Sequence, residues 1–292
     1  MTLTPEYILA KIYSISGLNN FNINNFYAFL IVVFGVILLE FLFVGWKNSS
    51  IKKIISFDKS VRTDVTFWLI DIFSLFNIIA FFLSLGICYF LVGVIQKSVQ
   101  LDLANLIENV YLQFLVIYVC SDLKNYVKHR LLHYFNPLWK LHAFHHSASS
   151  FSILTRYRSH FLELSVSRFF DVIPFILLGI PIQTFFAVRI LTEIQQLILH
   201  SNIKSNWGII GKYILVSPAA HKIHHSTKPQ HFNKNFGSTF IFWDHFFGSY
   251  HQPETVKQLG IPKNIYNNKS LLYDVWITIL NFLNALIPKK QA

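Results

Sequence analysis

The histidines of this 292-residue chain are concentrated in a few short motifs. Five of the 13 lie within residues 129–146, in the motifs HRLLH and HAFHH, and three more form the motif HKIHH at 221–225. On a helix, residues three and four positions apart share a face, with Cβ atoms about 5–6 Å apart. Imidazoles at this spacing can converge on a metal ion. The motifs therefore predict metal binding by His129, His133, His142, His145, His146, His221, His224 and His225.

The number and type of these ligands limit the chemistry. Neutral imidazole binds iron, zinc, copper and nickel, so the residue type alone does not select the metal. A structural zinc takes four ligands and a hydrolytic zinc takes three and a water, whereas eight histidines, or nine with His200, match two ions with four or five ligands each. Arg130 stands where the HExxH motif of zinc proteases has its glutamate, which removes the general base of that class.

A few other polar residues lie near the motifs in the sequence. Asp122 precedes His129 by seven residues and so shares its helical face, from which a carboxylate can orient a ligand imidazole through its second nitrogen. The alternative for Asp122 is an ion pair with Lys124 or Lys128 on the same helix. For Asn235 and Asp244 the alternative is that they cap a turn. The candidates for supporting the ligands are Asp122, His160, Asn235 and Asp244.

The rest of the chain has the composition of a membrane protein. Hydrophobic residues make up 53% and charged residues 13%, where about 25% charged is usual for soluble proteins. The two cysteines, Cys88 and Cys120, lie in apolar runs, which excludes a disulfide scaffold, a CxxC redox pair and an iron–sulfur site. A helix needs about 20 apolar residues to cross a bilayer. The candidate segments are 26–46, 72–95, 106–120 with an extension to His133, 161–200 and 271–287.

Two of these segments have a distinct form. Segment 161–200 is too long for one crossing and is interrupted by Gly179-Ile180-Pro181, so it predicts a hairpin of two short spans. Segment 271–287 contains Asp274, Asn281 and Asn284, which favour a helix lying in the membrane interface. We expect an all-α membrane protein with four to five hydrophobic helices, including the broken hairpin, and a histidine-rich cap.

The positive charge predicts the orientation. Five lysines and arginines lie in loop 47–65, and such residues mark cytoplasmic loops. Counting crossings from there puts 121–160 and 201–270 on the cytoplasmic face, and 201–270 holds eight lysines against two acidic residues. The protein would lie in the inner membrane of a bacterium or the endoplasmic reticulum of a eukaryote, with the histidines facing the cytoplasm. We assign the net charge of +11 to anionic lipid and an acidic partner, with no role in nucleic-acid binding.

The full set of motifs resembles the fatty acid hydroxylase and sterol desaturase superfamily of integral-membrane di-iron oxygenases. The resemblance covers about Phe114 to Tyr250 and rests on HxxxH, eight intervening residues, HxxHH and a later HxxHH. The lead-in from Asp122 to His129 is also similar, and so are Ser217-Pro218 and the NFG, WD and FGS motifs at 235–249. Two residues depart from the pattern: Phe161 stands where many members have proline, and Phe236 replaces a tyrosine.

The resemblance implies a function and a division of the chain. The eight clustered histidines, with His200 as a ninth ligand, would hold two irons that use O2 to hydroxylate, or less often desaturate, a sterol, fatty acyl, ether-lipid or isoprenoid chain. Residues 1–105 would form N-terminal membrane helices, 106–250 the catalytic domain and 251–292 an interfacial segment, all in one structural unit. The chain has no CxxC, GxGxxG or HPGG motif, so a separate ferredoxin or cytochrome b5-like donor with its reductase would supply electrons.

Two other functions use clustered histidines in membranes. A non-redox metal-binding or metal-transport protein would have polar residues continuing through its spans, whereas these spans are apolar. A bis-imidazole haem carrier would place paired histidines within separate spans, whereas these lie in tight clusters at span ends. The di-iron oxygenase is therefore the favoured interpretation.

Overall fold

A computed structural model of the chain describes residues 23–80, 82–84, 106–178 and 182–287. These ranges contain no named strand, only the isolated bridges Leu215 with Phe240 and Ser226 with Leu259, so the helical fold is confirmed for them. The α-helices are α1 (Ile23–Asn48), α2 (Ser50–Ser56), α3 (Lys59–Ile72), α4 (Val110–Tyr134), α5 (Asn136–His146), α6 (Phe161–Leu178), α7 (Ile182–Leu199), α8 (Gly208–Tyr213), α9 (Pro218–His224), α10 (Phe242–Phe246) and α11 (Leu271–Leu286).

The first helix is the clearest membrane span. Within α1, Leu30–Asn48 is long and apolar enough to cross a bilayer, and side chains such as Phe43, which is 74% exposed, face outward. A second span is possible if α3 and the helix Leu75–Ser84, which meet at 65°, are taken together. The described residues thus support one or two crossings, and the count of four to five stays a prediction. Much of segment 72–95 and the tripeptide Gly179-Ile180-Pro181, where the sequence predicts the break of the hairpin, lie outside the described residues.

Local capping signals place the three histidine motifs on helices. The Asn109 side chain accepts hydrogen bonds from the first turn of α4, which then runs for 25 residues and carries HRLLH at its end. Phe135 is extended and Pro137 lies in the first turn of α5, so the chain turns and HAFHH follows at once. Ser217 caps α9 through Ala220 N at 3.1 Å, and α9 carries HKIHH.

Buried polar side chains join these helices to the rest of the fold. The Arg158 guanidinium, fully buried, donates to Asp64 on α3, to Ser147 after α5, and to Asn267 before α11 at 2.7, 3.0 and 3.0 Å. Asp64 also accepts from Thr155 Oγ1 at 2.7 Å. A charge without partners at this depth would cost several kcal/mol, so the bonds hold the 147–160 segment in one position.

Candidate metal centre

The nine predicted ligands lie together in two adjacent groups. Within each group the candidate ligand atoms are all within 4.8 Å of one another. The rings of His146 and His225, one from each group, stack with centroids 4.2 Å apart. The first group contains His129, His133, His142, His146 and His224, and the second contains His145, His200, His221 and His225.

Ring nitrogens approach closely inside each group. In the first, His133 Nε2 is 3.1 Å from His146 Nε2. In the second, His200 Nε2 is 3.3 Å from His145 Nε2 and 3.1 Å from His221 Nε2. Each group thus directs several imidazole nitrogens at a common point, as ligands of one metal ion do.

Five of the rings are held from outside through Nδ1. A neutral imidazole carries one N–H, so a ring that donates from Nδ1 presents the lone pair of Nε2 to the centre. Four rings donate to main-chain oxygens 2.8–3.2 Å away: His129 to Phe236, His145 to Arg158, His200 to Gln196 and His224 to Lys234. His142 donates to the carboxylate of Glu163 at 2.9 Å.

Several inward nitrogens have no hydrogen-bond partner among the described residues. They include Nε2 of His129, His142 and His224 and both ring nitrogens of His225, all buried. A buried polar atom without a partner costs about 1–3 kcal/mol, so the arrangement is favourable only if something else binds these lone pairs. The donor set is imidazole alone, which fits two first-row divalent metal ions, iron included.

The electrostatics keep the rings in the form that binds metal. Burial lowers the pKa of His145 well below its usual value, and the neighbouring His200 lowers it further. Burial also lowers the pKa of His200 and of His224 to about 3. These imidazoles are therefore neutral at pH 7, and no proton competes for their lone pairs.

Among the described residues, Asp122 has no hydrogen bond or ion pair to a histidine or a lysine, so neither of the pairings expected from the sequence is observed there. Its buried carboxylate accepts from Thr239 N at 2.9 Å, Phe240 N at 3.0 Å and Trp243 Nε1 at 3.2 Å, and burial raises its pKa to about 6. Asp122 thus fastens the 239–243 segment to α4. Its effect on the centre is indirect, because this segment follows Phe236, whose oxygen binds His129.

The other three supporting candidates act on the main chain. Asp244 accepts from Phe236 N at 2.7 Å and from Gly237 N at 2.8 Å. Asn235 bonds to the main chain of Ala220 and His251. Both side chains therefore cap main-chain groups, as the alternative from the sequence expected. His160 lies outside both histidine groups, and its Nδ1 accepts from Leu162 N at the start of α6.

Sequence reasoning missed Glu163, the one carboxylate that binds a ligand ring among the described residues. Its signal was present: an acid in the first turn of a largely apolar helix, three residues after His160. The carbonyl oxygens that hold the other four rings have no such signal, because every residue has one.

A pocket lies beside the first group. It has a volume of about 310 Å³ and is lined by His133, His146 and His224 of the first group, with Trp139 and Phe232 among its apolar walls. No residue of the second group lines it. Phe151, which is 1% exposed, covers the second group with ring contacts to its histidines at 200, 221 and 225.

Comparison with known proteins agrees with this geometry. Residues 114–249 match the fatty acid hydroxylase family. The chain is 31% identical over 135 residues to an ornithine lipid hydroxylase of Rhizobium tropici, covering 46% of this chain and 40% of that protein. It is 28% identical over 166 residues to the alkylglycerol monooxygenase of Caenorhabditis elegans, covering 56% and 32%. Human cholesterol 25-hydroxylase is 31% identical over 133 residues, covering 44% and 47%.

The chain spans less than half the length of each of these relatives, and no solved structure matches it. The matched region contains all nine histidines of the two groups, and its bounds agree with the extent predicted from the motifs. By this match, residues 114–249 of the chain are similar to the fatty acid hydroxylase family.

Proposed function

We propose that this protein is an O2-dependent monooxygenase that hydroxylates a membrane lipid, with one iron in each histidine group. The observation that carries the proposal is the pair of adjacent all-histidine groups, in which several buried ring nitrogens have no hydrogen-bond partner among the described residues. The names of the relatives support the reaction type, since they describe hydroxylases or monooxygenases of ornithine lipid, alkylglycerol and cholesterol. Hydroxylation is therefore favoured over desaturation.

Two irons bound by these imidazoles would supply the O2-dependent oxidising power that an unactivated C–H bond requires. The residues of the chain supply the rest. The Nδ1 bonds to Glu163 and to the four carbonyl oxygens hold the rings in place. The pocket beside the first group has walls of Trp139, Phe232 and Ile261, which admit an apolar chain and exclude water from the reacting carbon.

The proposal includes a membrane location and an outside source of electrons. The span in α1 supports membrane attachment. The basic residues of 47–65, a segment that forms the end of α1, α2 and the start of α3 rather than the expected loop, and the lysines of 201–270 support a centre that faces the cytoplasm. The same lysines would attract an acidic ferredoxin or cytochrome b5-like donor. The chain itself carries no flavin, nicotinamide or iron–sulfur motif.

The test is to purify the protein from membranes, measure its metal content, and supply lipid extract, a reductant and ¹⁸O2. We expect two irons per chain and a lipid product that carries one ¹⁸O atom. His145→Ala should lose iron and product, whereas His231→Ala should keep both, because His231 is a buried histidine of the cap that bonds Glu254 and belongs to neither group. Iron without an ¹⁸O-labelled lipid would refute the proposal.

A non-redox metal-binding or metal-transport protein remains the alternative of another class. It predicts zinc or nickel in the purified protein and no consumption of O2. The second histidine group argues against transport, because Phe151 covers it and a transported ion must be able to leave.

A further inference from the structure

Two short helices of the cap, α8 and α10, carry large apolar side chains that face outward. Ile209 on α8 and Phe246 on α10 are each 78% exposed. The two helices are joined, because His245 Nε2 of α10 donates to the main-chain oxygen of Lys212 in α8 at 2.7 Å. Four further apolar side chains, between 39% and 53% exposed, lie on or directly after the same helices. We call the six residues the apolar patch: Ile209, Ile210, Tyr213, Ile214, Phe246 and Phe247.

The local packing holds the apolar patch in the open. Gly211 is the one buried residue of α8, and it lies so close to Asn206 that a Cβ would clash with the Asn206 carbonyl oxygen. α8 therefore packs through its smallest residue and turns its isoleucines outward. Next to α10, Phe247 stacks on Tyr126 of α4 with ring centroids 5.2 Å apart, and the neighbouring Phe246 stays exposed. Single exposed apolar residues are common, whereas clustered ones mark a protein or membrane contact.

The rim of the apolar patch is basic. Lys212 Nζ lies 4.9 Å from the ring centroid of Tyr213, and the Arg130 guanidinium lies 5.9 Å from that of the second phenylalanine. Between residues 204 and 250 the sequence has one acidic residue, Asp244, and its side chain is buried. Outward aliphatic and aromatic side chains with a cationic rim are typical of a surface that meets anionic lipid.

The chain that leads into α8 is bound to the membrane span and to the helix after it. Asn202 N donates to Glu40 Oε1 of α1 at 2.6 Å, and Lys53 Nζ of α2 donates to Asn202 Oδ1 at 2.7 Å. α8 begins six residues after Asn202, and six residues reach at most about 22 Å. The apolar patch therefore lies within reach of the bilayer face at which α1 ends.

We propose that the apolar patch inserts into the cytoplasmic face of the bilayer, as a membrane contact of the cap in addition to α1. The inference rests on the membrane location in the proposed function and adds the surface that makes the contact. Lys204, Lys212 and Arg130, all exposed, would face anionic head groups. A second copy of this chain fits the patch less well, because a symmetric contact would bring the same cations together. Since α8 lies between His200 and His221 in the chain, the contact would hold the second histidine group near the membrane surface.

The test measures the depth of a fluorescent label in vesicles that contain the whole protein. Cysteine replaces Ile209 in one variant and Lys257, an exposed residue of the cap outside the apolar patch, in the control. Wild-type protein treated in the same way corrects for labelling of Cys88 and Cys120. The vesicles contain phosphatidylcholine and phosphatidylglycerol, with a nitroxide near the head-group end of an acyl chain. An interfacial helix lies about 5–10 Å into this boundary, so we expect quenching at position 209 to be about threefold or more that at position 257.

Two further measurements separate lipid from protein contact and test the charge. Aqueous iodide should quench the label at position 257 more than that at position 209, and vesicles without phosphatidylglycerol should give weaker nitroxide quenching at 209. Equal nitroxide quenching at the two positions would overturn the inference. So would a label at 209 that neither quencher reaches, because protein would then cover the patch. Equal quenching at 209 with and without phosphatidylglycerol would overturn the role given to the basic rim. Continued ¹⁸O insertion in any of these cases would leave the oxygenase proposal standing.

Discussion

Replacing Glu40 with glutamine should loosen the second histidine group without removing a ligand. Glu40 lies in α1, within the apolar segment that can cross a bilayer, yet its side chain is fully buried. Its Oε1 accepts from Asn202 N at 2.6 Å, Asn202 Nδ2 at 3.0 Å and Ser50 Oγ at 2.9 Å, and its Oε2 accepts from Ser50 N at 2.7 Å. Asn202 follows His200 by two residues, so α1 holds the segment that carries this predicted ligand.

The geometry sets the size of the effect. Glutamine offers one acceptor oxygen, and if that oxygen faces Asn202 then its NH₂ group meets the N–H of Ser50. One buried donor loses its partner, at about 1–3 kcal/mol, and the remaining bonds lose the assistance of the negative charge. We expect the free energy of unfolding to fall by about 2–4 kcal/mol. Because the disturbed segment leads to His200, metal should be lost from the second group first.

The assay compares thermal unfolding and iron per chain for the wild type, Glu40→Gln and Glu108→Gln. Glu108 is an exposed glutamate just before α4, so its variant makes the same chemical change without the buried bonds. Glu40→Gln should unfold at a lower temperature and retain close to one iron, and Glu108→Gln should match the wild type. Equal unfolding temperatures and iron contents for the two variants would refute the reasoning, and so would an equal loss from both groups.

Three more changes test the surroundings of the centre. Asp64→Asn leaves the buried Arg158 without its counter-charge, so it should lower the free energy of unfolding by about 3–5 kcal/mol in thermal or denaturant unfolding. A loss under about 1 kcal/mol would contradict the role given to this pair. Glu163→Ala should lower metal affinity by about 10- to 100-fold in a chelator competition. Glu163→Gln should lower it by less, because the amide oxygen of glutamine can still accept from His142. Equal affinities for the two variants would show that this hydrogen bond does not support metal binding. A chelator should remove metal from the wild type in two phases, the pocket-lined group first, and Phe151→Ala should speed only the slow phase; a single phase would show that access does not differ.

The clustering of the motif histidines could be predicted from the sequence because their spacing is local. On a helix, positions three and four residues apart share a face in any tertiary context, so HRLLH, HAFHH and HKIHH needed only helical structure to form. His200 has no such motif, and its assignment depended on the resemblance to the family. The structure places it 3.3 Å from His145 and 3.1 Å from His221, measured between Nε2 atoms.

The surroundings of the ligands could not be predicted because they depend on long-range contacts. Asp122 faces main-chain groups 117 or more positions away, and its helical position gave no indication of them. In the sequence, Glu40 is an isolated charge in an apolar span. Only the fold brings its hydrogen-bond partner Asn202, 162 positions away, against it. The number of crossings also depends on long-range contacts, since the composition of α6 and α7 suits both a membrane span and a helix packed among other helices.

The division into two groups explains why two of the motifs are HxxHH. Successive helical residues differ by about 100°, so positions i and i+4 are about 40° apart, whereas i+3 and i+4 are about 100° apart. His142 and His146 accordingly fall in the first group and His145 in the second, while His221 and His225 fall in the second and His224 in the first. Each motif thus gives its i, i+4 pair to one group and its middle histidine to the other. The pair His129 and His133 completes the first group and His200 the second. Because α5 and α9 each contribute to both groups, a shift of either helix would disturb both sites at once, which accounts for the dense buried bonding of Arg158, Ser217 and Asn235 around their ends.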